Sequence, residues 1–390
     1  MSRKDLKVCL YTPTPNGGHA LYTKELLTAV AEVGVRRGVT AELVTCEDLA
    51  ADLQTSAYPI HRILPRLVPR EAFRTPIAWI AARVAYYSRR EWTFLDWIAR
   101  RADFDVVHFQ EYTPWLAPRH WRALRRRGIP VICTVHNIIH HYYRNRLHKV
   151  IRDSCLRSAW RGCDALLVHT EGLREALADF LGAGHPPIYV TPHGIWSRGE
   201  LLEREEDGGG EGRTRLLFFG AIRPNKGLHV LLRAMERLPR CDLTVAGEIE
   251  EESYHKQALS LARRLPPGRV ELIDRYIEEA GVADLFARSR LVVLPYTSFA
   301  AQSGVLHQAL AYGRPVVASD VGAMGECVRR WGIGGVVPPG DERALAEAIE
   351  RALEPGRYRA AVEAIARIRG ELTWTRMAEA TIDVYHAVAS

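Results

Sequence analysis

"LVVLPYTSFAAQSGVLHQALAYGRPVVASDVGAMGE", residues 291–326, decides the fold. It opens on the apolar run Leu291–Leu294, too short for a buried helix and closed by Pro295. Such a run reads as a strand buried on both faces. After a loop, Gln302-Ser303-Gly304-Val305 starts a helix-period segment, Gly313-Arg314-Pro315 stops it, and a second buried run follows at Pro315–Ser319. Strand, helix and strand on short connections make a parallel βαβ unit.

The same alternation extends to both sides. Strands are expected at Arg215–Phe219, Asp242–Ala246 and Arg269–Ile273, with helices between them and a helical tail from Ala344 that breaks at Pro355-Gly356 and near Leu372-Thr373. Towards the N-terminus the strand candidates are Leu6–Tyr11, Ala41–Thr45, Asp105–Phe109, Pro130–Val135, Ala165–His169 and Ile188–Thr191. Helices are expected over about 18–36, 76–101, 117–127, 145–161 and 170–181. Between the two series, 198–213 reads "RGELLEREEDGGGEGR", acidic and ending in glycines, a linker or mobile loop. The expected domains are therefore 1–197, 214–372 and a last helix, 373–390, returning to the first domain. Two α/β units of similar size imply a cleft between them, and parallel sheets bind ligands beyond their strand C-termini.

Composition narrows the class. At 390 residues, 47% hydrophobic and 25% charged, the chain has enough apolar surface for two cores. The net charge of +7 comes almost wholly from arginine, because the lysines are only Lys4, Lys7, Lys24, Lys149, Lys226 and Lys256. Arginine richness reads either as compositional bias or as attraction to phosphates or acidic lipid. Seven scattered cysteines without a C-x-x-C suggest a reducing compartment, so a cytoplasmic protein is expected. The short apolar run near Met1 reads as a strand rather than a leader, and no stretch approaches the length of a membrane span.

Candidate chemistry lies at strand ends. "CLYTPTPNGGHA" puts Gly17 and Gly18 at the start of a helix, where backbone N–H groups can approach an anion. It is not the G-x-G-x-x-G of nicotinamide dinucleotide sites. "LLFFGAIRPNKGLHVLL" sets Arg223 and Lys226 beyond a strand end. A guanidinium gripping two oxygens and a point charge beside it suit a diphosphate leaving group, whose charge grows as its bond breaks. Ser303 and Gly304 offer a second helix N-terminus, or Ser303 serves only as a cap. Gln308 lies one turn further on. His136, at the end of "PVICTVHN", is a strand-end histidine, and His108 and Glu111 end "DVVHFQE". His140 and His141 read as surface residues, and no zinc-ligand spacing is present.

With these motifs in place the chain resembles glycosyltransferase family 4, whose members have the GT-B fold: two Rossmann-like domains facing each other across a cleft. The resemblance rests on the glycine pair, "RPNKG", the block quoted first and "GVVPPGD" at 335–341. It implies a retaining transfer of sugar from a nucleoside diphosphate sugar to a glycan or lipid-linked hydroxyl, as in polysaccharide or glycoconjugate biosynthesis, with the leaving phosphate drawing the acceptor proton. Arg223 and Lys226 would hold the diphosphate, the Ser303-Gly304-Val305 backbone a phosphate, Gln308 the ribose, and Arg275-Tyr276-Ile277 would lie near the base. Gly17 and Gly18 would join the donor site. His136 would sit near the donor sugar, with His108 and Glu111 as secondary acceptor candidates. No metal or other cofactor is implied, because cations and helix termini replace it.

One departure is plain: the family's two glutamates correspond here to Ala300 and Gln308. Glutamine keeps a hydrogen bond to ribose but loses charge assistance worth about 1–2 kcal/mol. Two other readings remain open, a sugar-nucleotide 2-epimerase and a non-catalytic nucleotide-sugar-binding partner. Residues 61–101, rich in Arg, Trp and Tyr, read either as a helix with arginines outside or as a face contacting anionic membrane on the inner side of the cell. No nucleic-acid-binding module is recognisable.

Overall fold

The computed structural model describes residues 5–68, 72–101, 103–138, 146–196, 212–249, 251–298 and 303–390. They fall into two compact units. The first takes the described residues through 138, those from 146 to 194, and 374–390; the second takes 195–373. The acidic stretch, apart from its last two residues, together with His140, His141, Ala300 and Gln302, lies outside the described residues.

The first unit contains β1 (Leu6–Tyr11), α1 (Gly17–Arg37), β2 (Val39–Cys46), β3 (Ile60–Leu64), α2 (Pro76–Ala99), β4 (Val106–Phe109), α3 (Ala117–Arg125), β5 (Val131–Thr134), α4 (Arg146–Arg161), β6 (Ala165–Val168), α5 (Glu171–Leu181) and β7 (Ile188–Val190). Its parallel strands are ordered β3-β2-β1-β4-β5-β6-β7. Val8, Cys9, Leu10 and Tyr11 are all fully buried, as a central parallel strand requires. On one face, Phe94 and Ile98 of α2, Trp121 of α3, Leu156 and Trp160 of α4 and Leu177 of α5 form a single apolar cluster with the strands.

Inside α2 a charge is buried too. The Glu91 carboxylate accepts from Arg90 Nη2 at 2.9 Å and from Thr113 Oγ1 at 2.8 Å. Burial alone would raise the Glu91 pKa, but His120 and Arg90 hold it below the usual carboxylate value. On the opposite face the last helix, named α13 below, packs against α1 and against β1 and β4.

The second unit contains β8 (Thr214–Phe219), α6 (Leu228–Ala234), β9 (Cys241–Ala246), α7 (Glu252–Ala262), β10 (Val270–Ile273), α8 (Glu279–Ala287), β11 (Leu291–Leu294), α9 (Gly304–Ala311), β12 (Val316–Ser319), α10 (Gly322–Trp331), β13 (Gly334–Val337), α11 (Glu342–Leu353) and α12 (Pro355–Glu371). The remaining helix, α13 (Trp374–Ala389), belongs to the first unit. The second sheet is ordered β10-β9-β8-β11-β12-β13, again parallel throughout. Its core joins strand residues such as Phe218, Val245 and Val293 to Leu231 of α6, Tyr254 of α7 and Ile349 of α11.

Both sheets therefore reverse their strand order once, between β1 and β4 and between β8 and β11. A doubly wound sheet leaves an opening at the strand C-termini at such a switch point. Two strands not expected from the sequence complete the sheets: β3 and β13, each at an edge. No described helix is long and apolar enough to cross a membrane.

Candidate functional site

The switch point of the second unit gathers most of the candidate donor residues. β8 ends at Phe219, and its loop carries Arg223 and then a short 3-10 turn, Pro224–Lys226. Gly227 closes that turn at φ 72, and a Cβ there would stand 1.9 Å from the Pro295 carbonyl oxygen. Only glycine lets the two loops approach so closely. They are also tied by backbone: Thr297 N donates to the Asn225 carbonyl at 2.9 Å. Gly220, at φ 99, brings the end of β8 beside Val305, whose Cγ2 would lie 3.2 Å from an added Cβ.

Tyr296 links the cations to the α9 N-terminus. Lys226 Nζ sits 3.9 Å from the centroid of its buried ring, and its hydroxyl lies 3.1 Å from Ser303 Oγ. A cation over an aromatic face gains from the ring quadrupole. Ser303 thus spends its hydroxyl on Tyr296 and makes no side-chain cap, although it occupies the cap position of α9. The backbone N–H groups at that helix start point beyond β11. Burial, and then the neighbouring Arg223, push the Lys226 pKa down to about 7. Two cations forced together in a partly dry site favour an anion that can neutralise both.

Gln308 is half-buried one turn along α9. Tyr276 follows β10, two strands from β8 in the sheet order, and is 74% exposed, so the described contacts do not tie it to the Arg223–Lys226–Ser303 group. Gly17 and Gly18 are the first residues of α1 in the other unit, at its own switch point. Gly17 has φ 79, and a Cβ on either glycine would meet nothing within 4 Å, so the approach to their N–H groups is open.

The switch point of the first unit holds a histidine array. His136 follows β5, His169 follows β6, His193 follows β7 and His19 opens α1. His136 Nδ1 lies 3.2 Å from His169 Nε2, and His169 Nδ1 lies 3.0 Å from the Thr191 carbonyl oxygen. A carbonyl can only accept, so His169 carries its proton on Nδ1. His136 Nε2 lies 3.1 Å from Gln110 Oε1, and Gln110 Nε2 lies 3.3 Å from His108 Nε2, so the amide spans the two rings. The rings of His19 and Tyr22 stand 4.5 and 4.9 Å from that of His136. Burial, then the histidines around it, hold His136 well below the ordinary histidine pKa. It is a neutral, oriented ring.

The secondary candidates separate. Glu111 is bonded to Thr14 Oγ1 and lies 3.2 Å from His19 Nδ1, which sets a carboxylate beside the glycine loop. His108 is fully buried, held by Tyr385 Oη at 2.8 Å and Thr134 Oγ1 at 2.7 Å. Burial pushes its pKa down to about 3. With both nitrogens engaged in the interior, it ties α13 to the sheet and presents no face to an acceptor. Reading the sequence for motifs missed Tyr296, Gln110, His19, His169 and His193. The available signal was positional, because each lies on a loop just beyond a strand end or opens the next helix.

Residues 16–196 match the family model described as Glycosyltransferase Family 4, and residues 213–355 match Glycosyl transferases group 1. A D-inositol 3-phosphate glycosyltransferase of Pseudarthrobacter chlorophenolicus is 23% identical over 95% of this chain and 90% of its own. A glycogen synthase of Mycobacterium tuberculosis is 26% identical over 73% of this chain and 69% of its own. Among solved structures, sucrose-phosphate synthase of Thermosynechococcus elongatus superimposes with a TM-score of 0.77 at 19% identity, covering 98% of each chain. An Anabaena HepE structure with UDP and glucose gives 0.71 at 17% identity, covering 97% of this chain and 99% of its own. At these identities the superpositions speak for the GT-B fold.

Proposed function

The chain belongs to the group 1, family 4 glycosyltransferases and is a hexosyltransferase, and from that premise we propose that it moves a sugar, with retention, from a nucleoside diphosphate sugar to a glycan or lipid-linked hydroxyl. The observation that carries this reading is the meeting of Arg223, Lys226 and the α9 N-terminus at the β8/β11 switch point. Their chemistry fits a diphosphate that gains charge as the glycosidic bond opens.

In this reading Arg223 binds the diphosphate in a bidentate manner, and Lys226 regains its full positive charge once the anion arrives. The Ser303-Gly304-Val305 backbone donates to the second phosphate, and Gln308 meets the ribose. The positive charge is supplied by side chains and a helix terminus, so no metal is invoked. Gly17 and Gly18 offer open backbone N–H groups to a donor phosphate. His136 stands as a neutral ring at the sugar, fixed by His169 and Gln110, and Glu111 serves the acceptor. A membrane-anchored acceptor would bring the enzyme to an anionic inner surface of the cell.

The reading is tested by turnover of the Arg223→Ala and Lys226→Ala variants together with a thermal-shift panel of UDP, GDP and ADP. Loss of turnover by orders of magnitude, and a melting-point rise with one of the three nucleotides, are expected. Near-normal transfer by both variants would refute it. Conversion of the donor to an epimer without acceptor would replace it by the 2-epimerase reading.

A further inference from the structure

We propose that the groove between α3 and α4 of the first unit docks on a bilayer through anionic phospholipid headgroups. This rests on the surface of that unit alone and does not need the donor-site reading.

The groove encloses about 560 Å³ and is lined by Arg122 and Arg125 of α3 and by Ser154, Arg157, Ser158 and Arg161 of α4. Arg122 and Arg125 are one turn apart on one wall, and Arg157 and Arg161 one turn apart on the other. The guanidinium groups are held in place by backbone. Arg157 Nε donates to the Phe180 carbonyl at 3.0 Å, and Arg161 Nε to the Leu181 carbonyl at 3.1 Å, both at the end of α5. Arg122 Nε bonds the Pro118 carbonyl of its own helix at 2.9 Å. The ion pair described at the groove is Arg125 with Asp164, at 2.6 Å. Four cations against one carboxylate leave the groove strongly basic, and its fixed guanidinium planes with two serine hydroxyls suit phosphate oxygens.

The second observation is apolar. Leu147, Val150 and Ile151 are 68%, 65% and 55% exposed, and all lie in the first turns of the same α4. At 100° per residue, Leu147, Ile151, Ser154 and Ser158 share one stripe. That stripe is aliphatic at its N-terminal end and hydroxyl- and arginine-lined below. Trp115, 54% exposed, precedes α3 beyond the C-terminal end of β4, the strand beside β5 from which α4 descends. The aliphatic turn and the aromatic therefore stand at one rim of the sheet.

Distances along the helix bring the near end of the groove to the headgroups of a bilayer. With about 1.5 Å per residue, Ser154 and Ser158 lie about 4.5 and 10.5 Å from Ile151. One headgroup layer is about 5–8 Å thick. With Leu147, Val150 and Ile151 at the hydrocarbon boundary, Ser154 reaches phosphate level and Arg157, about 9 Å from Ile151 along the helix, stands at the outer edge of the headgroups, while Trp115 has the interfacial place that indole prefers. A nucleic-acid backbone would use the arginines but leave the aliphatic turn without purpose.

The test is co-sedimentation of the full chain with phosphatidylcholine vesicles, with and without phosphatidylglycerol, and with inorganic tripolyphosphate or a single-stranded oligonucleotide as competitor. Binding to the anionic vesicles alone is expected, weakening with salt. Arg122→Glu, whose side chain is exposed and bonds only its own helix, should lower the partition coefficient about tenfold. Val150→Ser with Ile151→Ser should lower it by a similar factor. Both variants should keep the wild-type melting temperature and circular dichroism, which separates lost docking from lost folding. No binding to anionic vesicles overturns the proposal. So does binding that ignores the Val150/Ile151 change but yields to tripolyphosphate or the oligonucleotide, which would assign the groove to a soluble polyanion.

Discussion

A diphosphate that binds Lys226 must protonate it, and this can be measured. In the unliganded site burial and Arg223 push the lysine down to about 7 from the ordinary 10.5. Arg223 and the Tyr296 ring lie against it, and neither supplies negative charge near neutrality. At pH 8 about nine-tenths of the side chain is neutral before binding. An arriving diphosphate restores the ammonium, so binding at pH 8 should take up about 0.9 proton. Between pH 7.5 and 9 the neutral form must be reprotonated at a rising cost, and affinity should fall about 20- to 25-fold.

Calorimetry in two buffers of different ionisation enthalpy reads the proton uptake directly. The titrant is whichever of UDP, GDP or ADP raises the melting temperature. Lys226→Arg is the control, because a guanidinium stays charged throughout, and its binding should show neither uptake nor pH slope. Uptake below about 0.2 proton by the wild type at pH 8 would refute the reasoning, and so would an unchanged slope in the arginine variant. The linkage also has a stability side. A lysine depressed in the folded state leaves the unfolded chain binding more protons between about pH 7 and 10.5. Stability should therefore rise with pH across that window, by a few kcal/mol at most.

The remaining predictions concern the scaffold. Gly227→Ala should destabilise by about 3 kcal/mol or more, because its Cβ would strike the Pro295 carbonyl at a positive φ; a melting temperature equal to wild type would contradict that account. Glu91→Ala should destabilise by about 3–5 kcal/mol by stranding the buried Arg90, as read by urea denaturation. Burial depresses His108 to about 3 and His307 to about 4. The unfolded chain therefore binds more protons below about pH 6.5, and each residue should lower stability by about 2 kcal/mol on going to pH 5. Denaturation midpoints that stay level between pH 7 and 5 would show that these rings do not remain neutral.

Most strands were legible because both sheets are parallel and buried, so runs such as Leu291–Leu294 carry an unbroken apolar signal. The two unexpected strands are edges. "IHRIL" of β3 is only half-buried, and its arginine and histidine disguise it within a basic stretch. "GGVV" of β13 begins with two glycines, which read as a turn. There Gly334 takes φ 155, and a Cβ would lie 1.8 Å from the Val316 carbonyl oxygen, so glycine is what allows the strand to pair.

The candidate site divides in the same way. Arg223, Lys226 and Ser303 stood out because their residue types are rare or stand at helix starts. Tyr296 did not, since an aromatic after a buried strand looks like ordinary core until its ring is seen beneath an ammonium. The histidines His19, His136, His169 and His193 are spread over more than 170 positions and meet only because successive parallel strands end at one rim. No local pattern announces such a meeting. Tyr385 is the extreme case, since it seals His108 across 277 residues of chain.

That last contact has a bearing on how the protein is made. The helix that covers α1 and packs on the first sheet leaves the ribosome only after the whole second unit. At about 5–20 residues per second, the first unit waits roughly 10–40 s after its own strands are complete before that cover arrives. During this interval the faces of α1, β1 and β4 that it will cover have no lid, and the nascent chain is a natural client for a holding chaperone. A stop codon placed ahead of that helix would damage the first-made unit, although everything else in that unit had already been translated.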